Sequence, residues 1–123
     1  MKRILVVEDD KDVRQVIEKF LGGPDRRLLG AGTGLDGLAI IQSEKPDLVI
    51  LDFFLPDMVA VKFIPRAKEL RPAMPIIIVS SFWNMQYAKL AIADGAVDFI
   101  PKPIDPAQLM ETVNSRLAAD RDP

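Results

Sequence analysis

The chain has 123 residues, 49% of them apolar, with 16 basic and 18 acidic side chains and a net charge of −2. That length suits one domain whose single core buries about two-thirds of the unfolded surface, and the near balance of charge argues against nucleic-acid binding through bulk basicity. With no cysteine and no histidine, disulfides, thiol chemistry, Ser-His catalysis and ordinary zinc sites are excluded, and any metal has to be held by oxygen.

The first residues, Met-Lys-Arg-Ile-Leu-Val-Val-Glu, look superficially like a signal peptide, but the apolar run from Ile4 to Val7 is too short to target or span a membrane. A soluble, cytoplasmic protein is the expectation. Ile4 to Val7 read as a strand ended by Glu8-Asp9-Asp10. A helical pattern follows (Val13, Val16, Ile17, Phe20, Leu21) and stops at Gly22-Gly23-Pro24, with Asp12 as its N-cap or first-turn acid. Arg26 to Gly30 give a weaker strand, and Leu35, Leu38, Ala39 and Ile41 a helix ending before Pro46. Asp47-Leu-Val-Ile-Leu-Asp52 is the clearest strand, an apolar run of the kind buried on both faces of a parallel sheet. A helix is expected from Pro56 to Leu70, starting near Phe63 to Pro65 or kinked there, because proline removes an amide donor and clashes with the preceding turn. Pro75 to Val79 form the fourth strand, Tyr87 to Ala93 the fourth helix, Val97 to Ile100 the fifth strand, and Asp105 caps a last helix from Pro106. Five strand–helix alternations require an α/β, doubly wound parallel sheet with helices on both faces.

The carboxyl ends of the strands in such a sheet form its ligand crevice, and here they carry Glu8 and Asp9, Asp52, Ser80 and Lys102. Taken singly, Asp52 reads equally as a turn residue before Pro56, Ser80 as a helix cap, Lys102 as a solvated loop lysine and the acids as an ordinary acidic turn. Taken together at one sheet edge, three carboxylates make a hard-cation site suited to Mg²⁺. A lysine and a hydroxyl placed beside them suit an incoming phosphoryl group, with a carboxylate as nucleophile.

These residues resemble the receiver domain of bacterial two-component response regulators, over essentially the whole chain. The matching pieces are Ile4-Leu-Val-Val-Glu-Asp-Asp10, Asp47-Leu-Val-Ile-Leu-Asp52 with Leu55-Pro56, Pro75-Ile-Ile-Ile-Val-Ser80, and Gly95-Ala-Val-Asp-Phe-Ile-Pro-Lys102-Pro103. The resemblance implies a single receiver domain over residues 1–123 with the flavodoxin-like strand order 2-1-3-4-5. It makes Asp52 the phosphoacceptor and Glu8 with Asp9 the Mg²⁺-binding pair, aided by Asp52 itself and the backbone carbonyl of Phe54. Ser80 becomes the hydroxyl that follows the phosphoryl group, Lys102 its cationic partner and Phe99 the aromatic switch. A sensor histidine kinase or histidine phosphotransfer protein is the implied donor, and a downstream effector domain or protein is the implied partner of the helix 4–strand 5–helix 5 face. Neither direct nucleic-acid contact nor a membrane is implied, and the domain assists only its own phosphorylation and dephosphorylation. The alternative is a receiver-like interaction module that works without phosphorylation.

The chain departs from the family pattern at Val59-Ala60, where an Asp-Gly pair is usual, so an altered backbone is expected after the metal loop. Phe99 replaces the common tyrosine, which leaves switching to burial of the ring. Phe54 and Phe82, two residues beyond Asp52 and Ser80, stand by the resemblance where water approaches the aspartyl phosphate, and phenyl rings there would exclude it; the competing reading turns both rings into apolar cover. Trp83 is either packing or site-related. Gly32-Thr-Gly-Leu-Asp-Gly37 satisfies the dinucleotide-binding G-x-G-x-x-G pattern, but on a second rather than a first strand. An Asp-x-Asp phosphatase is excluded by phenylalanine at position 54.

Overall fold

Short continuous apolar runs alternate with helical-period amphipathic runs, and the computed structural model, which describes residues 1–81 and 85–119, folds them accordingly. The elements are β1 (Lys2–Val7), α1 (Lys11–Leu21), β2 (Arg26–Ala31), α2 (Gly34–Glu44), β3 (Leu48–Asp52), α3 (Ala60–Leu70), β4 (Ile76–Ser80), α4 (Met85–Ala93), β5 (Asp98–Pro101) and α5 (Pro106–Ala119). All pairings are parallel and the sheet order is β2-β1-β3-β4-β5, the expected flavodoxin-like arrangement. No helix among the described residues is long and apolar enough to cross a membrane.

Strand alternation divides the core in two. Leu5, Val7, Val49, Leu51, Ile76 and Ile78 meet Ile41 of α2, Phe63, Ile64 and Ala67 of α3 and Ala91 of α4. Ile4, Val6, Leu48, Ile50, Ile77 and Val79 meet Ile17 and Leu21 of α1 with Leu109, Val113 and Leu117 of α5. Full burial of such a side chain contributes about 1.5–3 kcal/mol, so these layers fix the register. That register places the site. Val7 lies level with Leu51, so Glu8 follows beside Asp52; Asp52 is level with Val79, and Ser80 with Pro101, so Ser80 and Lys102 each sit one residue further along the edge. Continuing the alternation, Glu8, Asp52 and Lys102 take the parity of the α1/α5 side, and Ser80 that of the α3/α4 side.

Helix α3 corrects one of the two expectations for this segment: it starts at Ala60, not near Phe63 to Pro65, and Pro65 lies inside it. Its buried residues Ala60, Phe63, Ile64 and Ala67 fall on one face, and burying Phe63 and Ile64 offsets the penalty of about 3 kcal/mol for an interior proline. The loop before it supplies the start: Leu55 N–H donates to Met58 O (3.1 Å) and Ala60 N–H to Phe53 O (2.8 Å). Val59 is the N-cap, with φ −87° and no side-chain cap bond, and neither Val59 nor Ala60 takes a positive φ. The turn therefore does not need the glycine usual in the family.

Asp57, in the same loop, turns to another helix. Its carboxylate accepts from the Gly34 amide (2.8 Å) and the Leu35 amide (3.0 Å) at the start of α2, and these bonds hold its pKa below the usual value. Asp10, rather than Asp12, caps α1, accepting from the amides of Asp12 and Val13, and Asp12 is the first-turn acid. Leu35 and Ala39 face solvent; the buried positions of α2 are Gly34, Gly37 and Ile41. A Cβ on Gly37 would lie 2.9 Å from Val7 Cγ2 and 3.2 Å from Phe63 Cε2, and one on Gly34 2.6 Å from Met58 Sδ. The second and third glycines of the G-x-G-x-x-G match are thus packing positions.

Candidate functional site

Buried acids at a strand end require a local reason, because an ionised carboxylate in apolar surroundings is expensive unless paired. Glu8 is fully buried, Asp52 is 7% exposed, and Asp9 is exposed. Each of the three offers a carboxylate oxygen, and these oxygens lie within 4.8 Å of one another. Lys102, carried over the edge by β5, points its amine between them: Nζ donates to Glu8 Oε1 and, at 3.3 Å, to Asp52 Oδ2. The other oxygen of Asp52, Oδ1, accepts from the Phe54 amide at 3.1 Å.

The electrostatics follow from that crowding. Burial first, then the neighbouring Asp52 carboxylate, push the Glu8 carboxyl up to about 8, against the opposing pull of Lys102. Burial works against the Lys102 charge, but Glu8 and Asp52 outweigh it and raise its pKa above the ordinary lysine value. Glu8 Oε2 is buried with no hydrogen-bond partner among the described residues. An all-oxygen donor set with an orphaned buried carboxylate oxygen fits a hard divalent cation such as Mg²⁺.

The remaining expected residues distribute around this centre. Ser80 is buried at the end of β4, and its carbonyl accepts from the Lys102 amide at 2.8 Å. Phe54 is 37% exposed, its ring tilted against Phe53 with centroids 4.8 Å apart. Phe99 lies level with Ile78, half-buried against the α2–α4 side of the core and away from the carboxylates. Phe82 and Trp83 lie outside the described residues. Sequence reasoning missed Arg14, whose Nη1 donates to the Glu8 carbonyl at 2.6 Å; the only signal was a basic residue in the first turn of α1, six positions after Glu8.

The family model described as the response regulator receiver domain matches residues 4–114. The chain is 34% identical over 119 residues to the transcriptional regulatory protein ZraR of Salmonella typhimurium, covering 97% of this chain and 27% of ZraR. It is 30% identical over 102 residues to the DNA-binding transcriptional regulator NtrC of Escherichia coli, covering 83% of this chain and 22% of NtrC. The chain thus spans about a quarter of the length of these curated relatives. Among solved structures, a CheY-like response regulator receiver domain protein from Methanospirillum hungatei superposes with a TM-score of 0.91 at 31% identity, over 97% of this chain and 95% of that one.

The raised Glu8 pKa has a measurable consequence in the metal-free protein. A carboxyl whose folded pKa exceeds its unfolded value of 4.5 binds its proton more tightly when folded. Its contribution to stability is therefore complete below that value and is lost as pH rises toward about 8. In EDTA, the unfolding free energy from urea titrations should fall between about pH 5 and about pH 8, and Glu8→Gln should remove most of the fall. Equal slopes in wild type and variant would contradict the assignment.

Proposed function

The chain belongs to the receiver domain family of response regulators, the signalling domains of two-component systems, and from that premise we propose that it is a phosphorylation-dependent switch whose phosphoacceptor is Asp52. The observation that carries this reading is the meeting of Glu8, Asp9 and Asp52 within 4.8 Å, with Lys102 bonded to Glu8 and Asp52. A carboxylate oxygen of Asp52 attacks the phosphorus of a phosphohistidine on a sensor histidine kinase or histidine phosphotransfer protein. An O–P bond forms, the P–N bond breaks and the imidazole leaves. Mg²⁺ held by Glu8, Asp9, Asp52 and the backbone carbonyl of Phe54 would offset the negative charge gathering on the phosphoryl oxygens.

The chain's own residues do the rest. The Phe54 amide and Lys102 orient the two oxygens of Asp52. Lys102 exchanges part of its pairing with the acids for the incoming phosphoryl group, and the Ser80 hydroxyl donates to that group. Movement of Ser80 toward it frees space into which the half-buried Phe99 ring turns. The altered face is α4–β5–α5, where Leu90 and Ile92 are 52% and 55% exposed and Arg116 donates to Asp98 at 2.7 Å. An effector domain or separate effector protein reads that face. The reaction is self-modification in the cytoplasm and releases no product of the domain's own turnover.

Incubation with a small phosphodonor and Mg²⁺ should produce a phosphate-dependent gel shift in the wild type and none in Asp52→Asn, which stays folded. Mg²⁺ should also raise the thermal midpoint by binding only the native state, and Glu8→Gln/Asp9→Asn should lose most of that response. Uptake by the Asn variant at the wild-type rate would refute the site, and absence of uptake in the wild type would favour an interaction module that is not phosphorylated.

Phe54 and Phe82 extend the proposal to the lifetime of the phosphorylated form. Neither ring can orient an attacking water, and loss of a positioned nucleophile slows such a step by about tenfold or more. Phosphate release from the purified phosphoprotein should be slow in the wild type and faster in Phe54→Asn/Phe82→Asn. Fast wild-type release, or unchanged release in the double variant, would remove the gating role.

A further inference from the structure

The geometry points to Arg14 as a positioning residue for the acidic pair: it pins the peptide between Glu8 and Asp9, and through that peptide it sets the direction in which Asp9 presents its carboxylate. The inference deepens the proposed function and rests on its metal site. Glu8 and Asp9 are held very differently. Glu8 is fully buried and bonded to Lys102, whereas Asp9 is exposed and leaves the sheet at the start of the loop. The orientation of Asp9 therefore depends on its backbone, and the Glu8–Asp9 peptide plane is the hinge.

Arg14 holds that plane from α1. Its own amide donates to Asp10 O at 2.9 Å, which starts the helix, and its Nη1 donates to Glu8 O at 2.6 Å. On the preceding peptide, the Glu8 amide donates to Ala31 O at 2.9 Å. Strand β2 and helix α1 thus fix Glu8 through both its backbone groups. A guanidinium reaches the carbonyl as a planar donor, a geometry that a flexible ammonium does not reproduce.

The path of the Arg14 side chain is kept open by Gly30. A Cβ there would lie 3.2 Å from Arg14 Cδ, 3.3 Å from Arg14 Nε and 2.7 Å from Glu18 Oε1. Gly30 lies in a strand, where glycine is otherwise a weak choice and often marks a close approach. Its place under Arg14 supplies the reason.

Partners that orient metal ligands typically alter affinity by about 10–100-fold when removed. Arg14→Gln should therefore weaken Mg²⁺ binding, measured by calorimetric titration, by about tenfold or more, with Arg14→Lys restoring only part of it. Gly30→Ala, which touches none of the three carboxylates, should produce a loss of the same kind, and the Gly30→Ala/Arg14→Gln double variant should be little worse than either. A readout without metal separates this inference from the metal site itself. In EDTA, the Asp9 amide, part of the pinned peptide, should shift its NMR resonance and exchange faster with solvent in Arg14→Gln. An Asp9 amide unchanged in that variant would overturn the inference whatever Mg²⁺ does, as would wild-type Mg²⁺ affinity in Arg14→Gln. Wild-type protein that binds no Mg²⁺ would instead defeat the metal reading, leaving the pinning role to be decided by the amide.

Discussion

One ammonium group holds the carboxyl edge of the sheet together. Lys102 donates to both Glu8 and Asp52, and without it two buried carboxylates would face each other in apolar surroundings, where repulsion and desolvation both oppose ionisation. The arrangement is not a source of stability. Buried ion pairs roughly break even, while breaking one by removing a single partner is strongly destabilising. Stability comes from the two apolar layers that sandwich β1, β3 and β4, and those layers force the strand ends, and so the charges, into register. The fold carries the expense of a crowded acidic site whose charges are only partly satisfied, with Glu8 Oε2 buried and without a hydrogen-bond partner among the described residues.

The departures from the family pattern can be placed on this frame. Val59-Ala60 leaves α3 without a side-chain cap, and the loop is secured instead by Asp57 on the start of α2 and by the turn from Leu55 to Met58. The backbone that presents Phe54 to Asp52 is therefore tied to α2 as well as to α3. Phe99 packs half-buried against the hydrophobic layer.

Much of this was legible in the residue order because it rests on local periodicity. Apolar runs such as Ile4 to Val7 and Leu48 to Leu51 mark central strands, and a charged or hydroxyl residue at the end of each run marks the edge where the strands converge. Element existence follows from that pattern, as does the grouping of Glu8, Asp9, Asp52 and Lys102. What escaped depends on contacts between distant segments. Helix α3 begins before Pro65 because Phe63 and Ile64 bury against the sheet, and packing overrides a local penalty. Gly34 and Gly37 resemble a phosphate loop until Met58, Val7 and Phe63 are seen filling the space above them. Asp57 and Arg14 carry no motif, since the groups they bind are backbone amides and a carbonyl that any sequence would supply.

The account stands most directly on the coupling between Lys102 and Glu8. A double-mutant cycle with Lys102→Met, Glu8→Gln and the combined variant, followed by urea unfolding in EDTA at a pH above about 8, where Glu8 is ionised and Lys102 still carries its proton, isolates that pairwise term. The predicted result is an interaction of about 1 kcal/mol or more, with removal of the lysine far more damaging when Glu8 is present than when glutamine replaces it. Single-variant effects that add within about 0.5 kcal/mol would contradict it, because the amine would then not be what keeps the buried acids at the edge of the sheet.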